Sequence, residues 1–156
     1  MSGTSFTIRK AKAADCDRIH ALLKAMSEEL GDAGYFASTP AILRRFGFGE
    51  KPLFDTVVAD EEGEVVGLAL YFPDFSTLRG IPGTYLQDLY VARTHRSRAL
   101  GEKLVRAVSL EAARWHGCYI KLSVHNHNNR ARSFYNRLGF LPLTGETTMI
   151  LTGTNK

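Results

Sequence analysis

The sequence predicts a mixed α/β layer fold, in which helices cover a central β-sheet. Two observations support this prediction. Short apolar runs typical of strands alternate with segments whose apolar residues recur every three or four positions, as in amphipathic helices. The predicted order is β-α-α-β-β-β-α-β-α-β, and 156 residues suffice for one domain, residues 1–156, with a buried core.

The first half of the chain is predicted to contain a strand, two helices and a β-hairpin. Residues 6–9 are β-like, and Asp15 is a candidate N-cap for the first helix. Thr39 and Pro40 predict an N-cap followed by proline at the first position of a helix through residue 46. Strands at 54–59 and 64–72 flank a hairpin loop at 60–63. The apolar face of the first helix consists of Ile19, Leu22, Leu23, Met26 and Leu30.

The second half is predicted to begin with a polar connection at 73–83 and a strand at 85–91. A long helix follows from about Leu100 to about His116, with Gly117 as its stop. A strand at 119–124, a helix at 129–138 ended by Gly139, and one or two strands within 140–151 complete the prediction.

Composition excludes several classes of protein. Hydrophobic residues make up 44% of the chain and charged residues 23%, as in ordinary globular proteins. The net charge of +4 comes without a run of basic residues, so no nucleic-acid partner is expected. No apolar run reaches the roughly 20 residues needed to cross a bilayer, and the N-terminus lacks a signal-peptide core. Cys16 and Cys118, far apart, are expected to be free thiols, so a cytoplasmic location without membrane contact is predicted.

The segment from residue 96 to residue 101 is the most informative part of the chain. It connects an apolar strand to an amphipathic helix, and such a turn presents free N–H groups at the positive end of the helix. Two arginines in the turn favour phosphate further, while the G-x-G-x-x-G and P-loop patterns are absent. The turn therefore predicts a site for a ligand with a diphosphate group. It reads Arg96, Ser97, Arg98, Ala99, Leu100 and Gly101.

Two motifs resemble the GCN5-related N-acetyltransferase (GNAT) superfamily. Arg96, Ala99 and Gly101 occupy the places of its [QR]-x-x-G-x-[GA] turn, although Ala99 stands where glycine is usual and fits if its φ is negative. Segments 46–52, 75–77 and 85–91 resemble the diamine and thialysine acetyltransferase branch. The later motif, N-x-x-A-x-x-[LF]-Y-x-x-x-G-[FA], is matched by Asn128, Ala131, Phe134, Tyr135, Gly139 and Phe140.

The resemblance implies a mostly antiparallel mixed sheet with helices on both faces and a splay between two parallel strands. It implies acetyl-CoA as co-substrate, a primary amine of a small polyamine-like or amino-acid-like molecule as acceptor, and direct attack in a ternary complex. The pantetheine arm would pair with the strand before the turn, near Leu89 and Val91, and the pyrophosphate would bind the backbone N–H groups of the turn, from Arg98 to Lys103. The implied CoA-binding residues are Leu89, Tyr90, Val91, Arg96, Ser97, Arg98, Ala99, Leu100, Gly101, Glu102, Lys103, Asn128, Ala131, Phe134 and Tyr135.

Two residues are the candidates for the chemistry. The resemblance implies that Tyr135 protonates the departing thiolate, although the same residue could be a packed core aromatic. Gln87 stands where the branch has its glutamate base, and an amide cannot take a proton, so Gln87 would orient water or substrate. Strict strand alternation places Asp88 on the opposite face, unless a bulge changes it. His127 is a weaker candidate base.

Several alternatives stay open at this stage. A non-catalytic acyl-CoA sensor domain, an enzyme that acts on a protein amine, and a longer acyl donor all fit the motifs. His125 and His127 lack a third ligand at a recognisable spacing, so no metal is expected. Glu28, Glu29 and Asp32 form either a solvated face or an acidic lip for a cationic amine. A homodimer is expected by analogy with the branch.

Overall fold

The computed structural model describes residues 5–155, and its strands form one five-stranded sheet in the order β1-β2-β3-β4-β5. The first three pairs are antiparallel, and β4 and β5 are parallel. This confirms the predicted mixed, mostly antiparallel sheet. The strands are β1 (Phe6–Lys10), β2 (Asp55–Glu61), β3 (Glu64–Ser76), β4 (Ile81–Val91) and β5 (Ile120–Lys121).

Four α-helices accompany the sheet, and 3₁₀ turns lie at residues 13–15, 33–35, 93–95 and 112–115. The described residues divide into two compact units, one ending at Ser123 and the other starting at Val124. The first unit holds the sheet and three helices, and the second holds the fourth helix. The helices are α1 (Cys16–Glu29), α2 (Pro40–Phe48), α3 (Leu100–Glu111) and α4 (Asn129–Arg137).

Helices cover both faces of the sheet in the first unit. Ile19 and its neighbours on α1 pack with Leu68 of β3 in one buried cluster. The adjacent Gly67 faces the opposite side of the sheet, because neighbouring strand residues alternate in direction. A Cβ atom at Gly67 would lie 3.4 Å from the Leu104 side chain, so α3 covers this second side. Leu104 and Val108 are fully buried there. Each such buried side chain contributes on the order of 1.5–3 kcal/mol to folding.

The structure confirms the local signals in the first half of the chain. Thr39 caps α2 by accepting the Ile42 N–H at 3.1 Å. The β2–β3 hairpin turns at Glu62 and Gly63, whose φ angles are both positive, +50° and +95°, as a two-residue hairpin turn requires. Asp15 does occupy the N-cap of α1, but its carboxylate accepts the Lys12 N–H at 2.7 Å instead of making the capping bond.

The predicted connection at 73–83 is wrong. β3 continues to Ser76 and β4 begins at Ile81, with Pro73 opposite Thr84 and Ser76 opposite Ile81. Proline is tolerated because β2 starts opposite Tyr71, so beyond that point β3 has β4 on one side only. Cross-strand pairing therefore overrides the weak local preference of these polar residues for a strand.

Strands predicted late in the chain are shorter than expected or absent. The strand predicted at 119–124 is reduced to Ile120–Lys121. Within residues 5–155, no strand follows α4, so the prediction of strands in 140–151 is wrong. Those residues have strand-forming side chains but no hydrogen-bonded neighbour, and propensity alone does not make a strand. The helix predicted to reach His116 ends at Glu111, where a 3₁₀ turn takes over.

Candidate active site

Strand β4 has an open edge in its second half. It pairs with β5 only at Thr84 and Tyr85, opposite Ile120 and Lys121. From Leu86 to Val91, no described strand pairs with that side of β4, so this part of the edge is open. The backbone N–H and C=O groups of an open edge can accept an extended ligand as if it were another strand. Leu89, Tyr90 and Val91 lie in this stretch.

A β-bulge interrupts the same strand at Gln87. Asp88 pairs with Leu70 and Leu86 pairs with Tyr71, so Gln87 is the extra residue without a partner. The expectation that Asp88 faces away from Tyr85 is therefore wrong, because the extra residue reverses the alternation. Gln87 is exposed on the bulge.

Asp88 lies on the face that α1 covers, because its partner Leu70 belongs to the α1 core cluster. Burial raises the pKa of the Asp88 carboxyl to about 6. Among residues 5–155, its carboxylate makes no hydrogen bond or ion pair. An ionised carboxylate in this setting lacks both full solvation and a counter-ion, which is unfavourable until a cation binds.

The turn before α3 is built from left-handed residues that are not glycine. Ser97 has a φ of +68° and Ala99 one of +57°. A negative φ at Ala99 is therefore not observed, and the left-handed conformation costs an L-residue about 1–2 kcal/mol. Strained backbone of this kind concentrates at ligand sites.

Helix α3 presents its positive end directly after that turn. Lys103 donates its N–H to the Ala99 carbonyl at 3.1 Å, so the N–H groups of Leu100, Gly101 and Glu102 precede the helical ladder. The fully buried Leu100 anchors this end of the helix to the core. Three donors and a helix dipole here suit a diphosphate group.

Arg96 is held by protein groups. Its Nη2 donates to both Glu29 oxygens at 2.7 and 2.9 Å, and its Nε donates to the Val91 carbonyl at 3.0 Å. The Tyr90 hydroxyl donates to the same carboxylate at 2.7 Å. Burial opposes ionisation of Glu29, but the hydrogen bonds from Tyr90 and Arg96 outweigh it and lower the Glu29 pKa. Arg93 adds a longer ion pair at 3.7 Å.

A second carboxylate lies on the other side of the turn. The Nε2 of His95 lies 2.9 Å from Glu61 Oε2, a close contact without hydrogen-bond geometry. Arg98 lies 3.9 Å from the same oxygen, and its guanidinium lies over the Phe6 ring. Glu29 and Glu61 therefore fix the turn from α1 and β2. Sequence analysis assigned no such role to either residue, because both are more than 30 positions away from the turn.

The second unit contains the later motif. Asn128 is the N-cap of α4, and its side-chain oxygen accepts the Ala131 N–H at 3.2 Å. Tyr135 is half-buried and packs edge-on against Phe134 and Phe140, each at 5.3 Å between ring centroids. Gly139 ends the helix with a φ of +100°.

Residues 5–155 contain neither a cluster of metal ligands nor a membrane-spanning helix. No three His, Cys, Asp or Glu side chains are grouped so that they could hold a metal ion. His125 and His127 stack on each other, with their ring centroids 5.3 Å apart. No helix in this part of the chain is long and apolar enough to cross a membrane.

This fold and site belong to a class of acyl-transferring enzymes, and comparison with known proteins identifies the family. The model of the acetyltransferase (GNAT) family matches residues 16–140. The chain therefore belongs to the GNAT family, and it is an N-acetyltransferase of the diamine and thialysine branch. Thialysine N-epsilon-acetyltransferase of Bos taurus is 35% identical over 146 residues, which cover 88% of this chain and 85% of the relative.

Other relatives agree with this placement. The human spermidine/spermine N(1)-acetyltransferase-like protein 1 is 29% identical over 150 residues, covering 90% of this chain and 21% of that protein. Among solved structures, an aminoglycoside N-acetyltransferase in complex with CoA superposes with a TM-score of 0.76 over 97% of both chains, at 16% identity. At that identity the likeness supports the fold alone.

Proposed function

We propose that this enzyme transfers the acetyl group of acetyl-CoA to the primary amine of a small polyamine-like or amino-acid-like molecule, by direct attack in a ternary complex. The observation that carries the proposal is the open edge of β4, which leads into a left-handed turn and the positive end of α3. A strand edge suits the amide-containing pantetheine arm, and the helix end suits the pyrophosphate.

The donor would contact the first unit mainly through its backbone. The arm pairs with β4 around Leu89 and Val91, and the pyrophosphate takes the N–H groups between Arg98 and Lys103. Because Arg96 is bound to Glu29, we assign it to the shape of the turn more than to direct phosphate contact. The family resemblance also implies CoA-binding roles for Asn128, Ala131, Phe134 and Tyr135.

The reaction needs one new bond and one broken bond. The amine nitrogen attacks the acetyl carbonyl carbon, the C–N bond forms, and the C–S bond breaks. A backbone N–H of the bulged strand would stabilise the oxyanion, and the Tyr135 hydroxyl would give its proton to the leaving thiolate. Gln87, exposed at the bulge, would orient water or the acceptor.

A second function is favoured by one specific observation. Gln87 cannot accept a proton, and the glutamate of related enzymes is absent, so a domain that binds acyl-CoA without transferring it would fit the same fold. Relatives named for thialysine and for spermidine/spermine support the enzymatic alternative and the small amine. A protein amine is a third possible acceptor, and sequence resemblance gives it less support.

We further propose that residues 1–156 act as one acetyltransferase domain, because the family match spans both compact units. A homodimer is proposed from the segment after α4, where Leu141, Met149 and Ile150 are each at least 84% exposed. Exposed apolar side chains are common at contacts between protein chains, and light scattering tests the dimer. The free thiols Cys16 and Cys118 suit a reducing compartment such as the cytoplasm.

The proposed function is tested in two steps. First, CoA binding is measured by calorimetry and by the shift in melting temperature, which rises when a ligand binds the native state. Second, release of free CoA thiol from acetyl-CoA is followed with thialysine, spermidine, ornithine and a lysine-containing peptide. Binding together with amine-dependent release is expected. Binding without release for any amine would support the sensor domain, and absence of binding would contradict both functions.

A further inference from the structure

We propose that the Asp88 carboxylate binds the primary ammonium group of the acceptor and takes up the proton that nitrogen loses during acetyl transfer. This inference rests on the proposed N-acetyltransferase function and assigns its missing proton acceptor. It moves the role by one residue, from Gln87 to Asp88.

The bulge at Gln87 gives Asp88 its position. Residues paired across antiparallel strands share a face, so Asp88 lies with Leu70 on the α1 side. Tyr85, opposite Phe72, lies on the same side. Without the extra residue, Asp88 and Tyr85 would face opposite sides of the sheet. Asp88 also lies within the stretch of β4 whose edge is open, where the acetyl group of the donor would end.

Among residues 5–155, no cationic side chain pairs with Asp88. On its own strand, the Tyr85 hydroxyl is paired with Ser123 Oγ at 2.8 Å, and the Tyr90 hydroxyl donates to Glu29. On α1, which covers this face, Glu29 already binds Arg96 and Arg93. Its partner on β3 is the apolar Leu70. No charged side chain contributes to the raised Asp88 pKa of about 6, which is caused by burial alone.

The carboxylates of Glu29 and Asp88 differ in the partners that the protein gives them. Glu29 is a partly buried carboxylate that the protein itself neutralises through hydrogen bonds from Tyr90 and Arg96 and a longer ion pair with Arg93. Asp88 is a partly buried carboxylate that has no hydrogen-bond or ion-pair partner among residues 5–155. An unpaired carboxylate beside a ligand site is unfavourable in the free enzyme and favourable once a cation enters. A primary ammonium group has the charge and the three N–H donors to fill this place.

The proton balance is complete without another reactant. The bound ammonium group first loses one proton to solvent, which frees the nitrogen lone pair. The neutral amine then attacks, and its nitrogen becomes positively charged and far more acidic than a free ammonium group. This second proton passes to Asp88 directly or through one water molecule, while Tyr135 gives its proton to the thiolate. After the amide leaves, Asp88 returns its proton to solvent and Tyr135 regains one from solvent, so that one proton is released for each acetyl group transferred. A carboxylate with a pKa of about 6 is mostly ionised at neutral pH and is a stronger base than an ordinary aspartate.

The kinetic test uses Asp88→Asn, which keeps the shape and removes the charge. We expect kcat/KM for thialysine at neutral pH to fall at least about 100-fold, within the 10²–10⁴ range of general-base effects. Because the amine itself titrates, the ratio of wild-type to variant rates is plotted against pH. That ratio should rise with pH and level off above about 6. Asp88→Glu should restore part of the rate.

The control variant is Asp17→Asn, which removes an exposed carboxylate from the first turn of α1. It should leave the rate and its pH dependence unchanged. CoA affinity and the circular dichroism spectrum should match the wild type in both variants, which separates loss of chemistry from loss of the fold. A pH-independent rate ratio, or a less than twofold loss in Asp88→Asn, would overturn the proposal.

A direct titration separates this inference from the proposed function. The Asp88 carboxyl carbon is followed by NMR across pH in the CoA complex, with and without spermidine. Binding of the ammonium group should lower the Asp88 pKa by one unit or more. An unchanged pKa at saturating spermidine overturns the role of Asp88 even if thiol release is observed. Conversely, absence of thiol release with a lowered pKa contradicts the enzymatic function and leaves ammonium binding in place.

Discussion

The turn at residues 96–99 and the bulge at residues 87–88 lie at opposite ends of one strand segment, and they treat charge in opposite ways. In the turn, Glu29 and Glu61 approach the basic side chains, so the ions are paired within the protein. At the bulge, Asp88 has no partner among the described residues. Under the function proposed above, the difference means that the donor side is complete before binding, whereas the acceptor side requires a cation from the substrate.

On the donor side, the largest expected effect comes from Tyr135→Phe. Loss of the phenolic proton should lower kcat at least about tenfold, because general-acid steps contribute typically 10²–10⁴-fold. CoA affinity and the titration of Asp88 should stay as in the wild type. Pre-steady-state thiol release measures the chemical step. Turnover close to that of the wild type would remove Tyr135 from this role, and Tyr119→Phe serves as the matched control.

The second prediction is that the ionised carboxylates of Glu29 and Asp88 have opposite effects on the stability of the folded protein. The Glu29 pKa is lowered in the folded protein, so Glu29 contributes stability above its ordinary pKa and loses it as pH falls through the folded value. The Asp88 pKa is raised to about 6, so its ionisation costs stability as pH rises from the ordinary 3.8 to about 6.

At pH 7, Glu29→Gln should therefore lower the free energy of unfolding by about 1–2 kcal/mol. Asp88→Asn should raise it by about 1–2 kcal/mol. Urea unfolding at pH 7 and pH 4 checks both, and both effects should shrink at the lower pH. Equal signs for the two variants at pH 7 would contradict the contrast between the two regions.

The smallest expected effect concerns the backbone of the turn. Ala99→Gly removes the cost of holding alanine in the left-handed conformation. Glycine loses more backbone entropy on folding, which offsets part of this gain. The variant should therefore be more stable by roughly 0.5–1 kcal/mol. Ala107→Gly, in the interior of α3, should destabilise it by roughly 0.5–1 kcal/mol. Thermal unfolding of both variants gives the comparison. A loss of stability in Ala99→Gly would show that the turn is not strained at this position.

Local sequence signals predicted the elements whose causes are local. The Thr39 cap, the hairpin at Glu62–Gly63 and the stop at Gly139 each depend on residues a few positions apart. The pairing of Arg96 with Glu29 joins residues 67 positions apart, and no periodicity indicates it. The bulge depends on the register between β3 and β4, which strand alternation alone does not fix. The strands missing after α4 lack a hydrogen-bonded neighbour, which propensity cannot reveal.

Because of the bulge, the number of residues in β4 decides which side chains face α1. Removing Gln87, rather than replacing it, would restore strict alternation and exchange the two faces of the strand on one side of the deletion. Either Asp88 and Tyr90 would leave the α1 side, or Tyr85 would do so. A single missing codon in this strand would therefore alter the acceptor side more than most substitutions of the same residue.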